Sequence, residues 1–174
     1  KWGEHDTLGD LVRVIRMFRP LVVYSRWSGT PSDGHGHHQE AGYLTPLAYK
    51  AAADPNEFPE HLREGLRPWQ AKKLYRGVFG NTRPDPSVPT LPVQTGVFYP
   101  VAGRSYAEIS FEGRSQHRTQ AQGGIEPRGP LTSTLALVES TVPVQAPAPD
   151  RTIFDGLDVT VPGIAKLAGL PDGT

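Results

Sequence analysis

The sequence predicts an α/β fold, an open sheet with helices on both faces. Three observations carry this. Leu8, Leu11, Val12, Ile15 and Phe18 recur at helical spacing. The run Leu21-Val22-Val23-Tyr24 follows at once, short and continuously apolar, as expected of a parallel strand covered on both faces. After a polar, Gly-rich loop over 25–36, a second helical stretch begins near Gln39.

The first helix is expected over 7–19, with Thr7 and Asp10 as a capping box and Pro20 as its stop. Arg13, Arg16 and Arg19 fall largely off the apolar stripe and are expected in solvent. The second helix is expected over 39–53, with Leu44, Leu47, Ala48 and Ala51 inward and a kink at Pro46. Residues 56–78 read as patchy helix anchored by Trp69 and Leu74, and 81–92 as a Pro-rich crossing loop. A strand is expected over 93–99. Ser105 and Glu108 form a second capping box, opening a helix that runs to about 120. Residues 131–138 have strand composition, 142–149 read as a Pro-rich linker, and 153–170 as a short helical appendage.

Composition narrows the function. A chain of 174 residues suits one domain. Lys plus Arg and Asp plus Glu both number 18, so zero net charge offers no electrostatic case for nucleic acid or an anionic membrane. No apolar stretch approaches the roughly 20 residues of a membrane helix. The absence of Cys excludes disulfides and thiolate chemistry and leaves the compartment unread. Homo-oligomerisation is left open.

Asp33-Gly34-His35-Gly36-His37-His38-Gln39 is the segment richest in chemistry. It follows a strand and precedes a helix, and open α/β sheets bind ligands beyond the carboxyl ends of their strands. Neutral imidazole is a good zinc ligand, and also suits copper or nickel. A solvated loop with no ligand is the alternative.

Arg19-Pro20-Leu21-Val22-Val23 followed by Asp33 to Gly42 resembles the second signature of the LmbE/PIG-L family of zinc-dependent de-N-acetylases. The resemblance implies a Rossmann-like sheet of the LmbE type. It puts the zinc-binding His at His38 and the His that stabilises the oxyanion at His35. Gly36-His37 stands where the family commonly has Pro-Asp. Ser105 to Ile109 and Arg114 to Gln120 resemble a later helix of the family, with His117 and Gln120 on one face, either toward the site or bracing it from behind; a helix-terminal His near backbone carbonyls is the alternative for His117. With Asp33, these are the expected substrate contacts.

The family's first signature, Ala-His-Pro-Asp-Asp-Glu, supplies further ligands and the general base; nothing here matches it. His5-Asp6 is the nearest pair, with Asp6 expected as a helix cap. The expectation is therefore the carboxyl-terminal part of such a domain over 1–142, with a linker and appendage over 143–174. Its function would be to help remove an N-acetyl group from an amino-sugar-type substrate, with an incomplete Zn2+ site and little activity alone. A non-catalytic carbohydrate-binding or protein-interaction module is the alternative.

Overall fold

A computed structural model describes residues 3–79, 85–120, 123–143, 150–167 and 169. It is a mixed α/β structure. Helix α1 (Glu4–Phe18) leads into strand β1 (Val22–Ser25), then α2 (Gly36–Ala51), a short α3 (Pro59–Arg63) and strand β2 (Lys73–Val78). Strands β3 (Thr90–Gln94), β4 (Phe98–Tyr99) and β5 (Arg104–Ser105) precede α4 (Tyr106–Ser115), β6 (Thr132–Ser140) and α5 (Val161–Leu167). The main sheet has the order β1-β2-β6-β3. β1 and β2 run parallel; β6 is antiparallel to both its neighbours. β4 and β5 form a separate hairpin.

α1 begins three residues earlier than its sequence implies, at an N-cap that is Gly3 rather than Asp6 or Thr7. Thr7 lies inside the first turn, where its hydroxyl donates to the Gly3 carbonyl at 2.9 Å. At the other end Pro20 disfavours helical backbone for the residue before it. Arg19 accordingly turns to φ 48°, while its N–H still reaches the Ile15 carbonyl.

The buried face of α1 packs on α2 through Val12, Ile15, Ala48 and Ala52, with Phe58 closing the cluster. Arg16 is not in solvent. It is 1% exposed, and its guanidinium donates to the carbonyls of Ala51, Ala52, Asp54, Glu57 and Phe58. Helix α2 ends with unsatisfied carbonyls, as every helix does, and a cation there also meets the negative end of its dipole. Arg16 supplies both donors and charge. Burial lowers its pKa from the ordinary arginine value, the nearby Glu60, Asp54 and Glu57 opposing this.

The two faces of the sheet follow from strand alternation. Val23 and Leu74 point toward Tyr49 of α2 and Ala71. Val22 and Tyr75 point to the other face, with Leu91, Leu135, Leu137 and Ile153. On that second face Lys73, 1% exposed, donates to the Asp150 carboxylate at 2.7 Å, and the Tyr75 hydroxyl donates to the same oxygen. Burial first, then the Asp150 carboxylate, pushes the Tyr75 pKa strongly upward. The segment after the Pro-rich run is thus docked on the sheet through Asp150 and Ile153. Residues 144–149 of that expected linker lie outside the described residues.

Residues 56–78 are not patchy helix. Only Pro59–Arg63 is helical, and Lys73–Val78 is the strand between β1 and β6. The expected strand over 93–99 is β3, shifted forward to Thr90–Gln94, plus β4. The Ser105–Glu108 box is made as expected: Glu108 N–H donates to Ser105 Oγ at 3.2 Å, and Ser105 N–H to Glu108 Oε2 at 2.8 Å.

β1 is an outer strand, so it is only partly covered, with Tyr24 49% exposed. A groove of about 330 Å³, lined by Leu11, Val14, Phe18, Val22 and Val23, runs beside it. The opposite edge, β3, carries Pro92, which blunts strand pairing. No described helix is long and apolar enough to cross a membrane.

Candidate functional site

Beyond the end of β1 the chain lies directly on helix α2. Gly29, at φ 79°, and Gly42 make this approach possible. A Cβ at position 42 would fall 2.1 Å from the Gly29 nitrogen. Asp33 gathers the loop: its carboxylate accepts from Ser28 N–H and hydroxyl, Gly29 N–H and Thr30 N–H. Burial alone would raise its pKa, but these donors outweigh it and hold the carboxyl below its ordinary value. Asp33 therefore organises its own loop, and its backbone carbonyl does a second task.

That carbonyl lies 3.0 Å from His38 Nδ1. A carbonyl only accepts, so Nδ1 carries the hydrogen. In the neutral ring Nε2 then holds the lone pair. The His38 ring stacks on Trp27, with centroids 3.6 Å apart and planes at 15°. His35 caps the start of α2, and its ring centroid lies 3.8 Å from that of His38. His37 meets His35 edge-on at 6.1 Å and is exposed. His35 is exposed and His38 half-buried. Position 38 is thus braced on three sides, by a carbonyl, an indole and a second imidazole.

A cleft of about 110 Å³ opens where β1 leaves β2. Arg26, Trp27, Ser28, Ser32 and Asp33 line it from the β1 side; Arg76, Gly77, Val78, Phe79 and Asp85 line it from the other. The Arg26 guanidinium sits 4.3 Å from the Phe79 ring centroid and 5.0 Å from that of Trp27. Trp27 therefore links the cleft wall to His38.

His117 and Gln120 are not on α4. That helix ends at Ser115, whose hydroxyl donates to the Glu112 carbonyl. The His117 Nδ1 lies 3.1 Å from the Arg114 carbonyl, and Gln120 falls in a separate 3-10 turn, Arg118–Gln120. Both are exposed, and the His117 ring is turned to its own helix end rather than placed by α4 beside Gln120. His5 and Asp6 lie at the other end of α1. Among the described residues no three His, Asp or Glu side chains converge as metal ligands. Arg26, Trp27 and Phe79 carry the cleft without having been legible as site residues. Trp27 and Arg26 gave one signal, a large aromatic and a cation at a strand's end; Phe79 gave none.

No family model matches this chain, and no curated protein is similar enough to count as a relative.

Proposed function

We propose that this chain supplies part of the site of a metal-dependent hydrolase, with His38 as a metal ligand and His35 beside it as a polar helper. The observation that carries this reading is the hydrogen bond from His38 Nδ1 to the Asp33 carbonyl. Metal-ligating His residues characteristically donate their other ring N–H to a backbone carbonyl or carboxylate, which fixes the tautomer and orients the lone pair. Stacking on Trp27 holds the ring in place. The family resemblance of Asp33 to Gly42 supports zinc as the ion, a Rossmann-like sheet as the frame, and an N-acetylated amino sugar as the substrate.

One imidazole ligand suits zinc but falls short of the three protein ligands a catalytic zinc takes. The remaining ligands and the carboxylate base would come from beyond the described residues. Bound zinc would polarise the amide carbonyl and acidify a water. His35, exposed at the start of α2, would donate a hydrogen bond toward the developing oxyanion.

Zinc titration by calorimetry tests this reading. The whole chain is expected to bind zinc weakly, and His38→Ala is expected to weaken it at least about tenfold further. Unchanged affinity in His38→Ala overturns the assignment of this ligand. Tight one-to-one binding by the wild-type chain overturns the claim that ligands are missing.

A further inference from the structure

We propose that the cleft at the carboxyl end of the β1–β2 pair binds an oxyanion, the phosphate or carboxylate group of a small ligand, on the guanidinium of Arg26. The cleft lies where two parallel strands separate, the position at which open α/β sheets hold ligands. Arg26 is held there by two aromatic faces, Trp27 and Phe79. Such contacts orient a guanidinium without neutralising it, and its N–H fork stays free to meet a planar or tetrahedral oxyanion.

Several arginines elsewhere in the chain are already engaged, though not all. Arg13 pairs with Glu64, Arg104 with Glu112, and Arg16 is saturated by carbonyls. Among the described residues, Arg26 and Arg76, which both line the cleft, have no carboxylate partner. Two carboxylates also line it, and both are engaged by their own loops. Asp33 takes the donors of Ser28, Gly29 and Thr30; Asp85 takes the N–H and hydroxyl of Ser87. Hydrogen-bond acceptors there are committed while cationic donors are not. The space, about 110 Å³, exceeds the share of a single water, about 30 Å³, and suits an anionic group rather than a whole sugar.

This inference needs no metal at His38. It extends the proposed function by adding an anionic substituent to the ligand. Its test is therefore run in a chelator, so that its failure and that of the zinc reading are separable. The full chain is titrated at low salt with inorganic phosphate and, separately, with acetate, following tryptophan fluorescence and heat. Saturable binding of either anion is expected, weakened about tenfold or more in Arg26→Gln, because charge-assisted hydrogen bonds are the strong ones. It is expected to be unchanged in Arg67→Gln, which removes an exposed cation elsewhere. Phosphate alone saturating assigns a phosphate-bearing ligand, and acetate saturating as well admits carboxylates. If Arg26→Gln does not fold, Phe79→Leu, which removes one ring of the clamp, is expected to weaken binding instead. No saturable binding of either anion, or equal loss in Arg26→Gln and Arg67→Gln, overturns the proposal.

Discussion

Replacing Arg16 with Met keeps the apolar length of the side chain and removes its fork of donors. Five carbonyls then lose their partner: Ala51, Ala52, Asp54, Glu57 and Phe58, at 2.7 to 3.2 Å. A hydrogen bond to a charged group contributes about 1.5–3 kcal/mol, so plain addition would rival the about 5–15 kcal/mol that holds a whole domain folded. Addition fails because the carbonyls share one donor group and those at the exposed positions Asp54 and Glu57 can turn to water. The loss that remains is about 3–5 kcal/mol, the cost typical of breaking a buried charged network. Arg16→Lys keeps the charge but not the fork and is expected to lose less. Urea denaturation followed by tryptophan fluorescence and circular dichroism measures both. A midpoint for Arg16→Met within about 1 kcal/mol of wild type would refute the view that this side chain ties the end of α2 to the 54–58 turn.

Asp150→Asn leaves the Lys73 ammonium buried without its counter-charge, which costs about 3–5 kcal/mol. The change should expose the segment after Asp150 to limited proteolysis, while Lys73→Met with Asp150→Leu should restore protection; unchanged digestion in Asp150→Asn would remove the tether from the account. His61 is buried, and its Nδ1 faces an Arg16 nitrogen that can only donate, so the ring is held neutral with its hydrogen on Nε2. Burial first, then the Arg13 and Arg16 cations, lower its pKa. The unfolded chain then binds the proton more readily. The stability His61 contributes is complete above about pH 6.5 and is lost as pH falls from there toward the folded value. His61→Gln should flatten that part of the wild-type profile of urea midpoint against pH, and an unaltered slope would show that His61 does not set it.

What could be read from the chain and what could not divides by distance along it. The Ser105–Glu108 cap needs residues three apart, and it forms. The His-rich segment follows a strand and opens a helix, since the apolar run and the glycines are local signals, but α2 starts at Gly36, three residues before the expected Gln39, so His37 and His38 stand in its first turn. β2 does not show as a strand locally because Lys73 interrupts its apolar run, and its charge is met only by Asp150, 77 positions on. Arg16 was misread for the same reason, since its acceptors lie 35 to 42 positions away. His117 and Gln120 were placed on a common helical face by a pattern that assumed α4 continued. Instead Ser115 and His117 turn to the carbonyls of Glu112 and Arg114 at the helix end, where local side-chain bonds compete with the helix.

The candidate site shows both halves of this rule in one place. His38 is set by Asp33 and Trp27, neighbours within eleven residues, and so its environment was open to reading. Arg26 becomes a held cation only because β2 brings Phe79 alongside the end of β1, and that pairing depends on a strand the sequence disguised. A helical β2 segment would have left no cleft there. The same buried Lys73 also fixes the strand in the sheet, so a chain whose Lys73–Asp150 contact is broken should loosen Phe79 and, with it, the Arg26 clamp at the other end of β2.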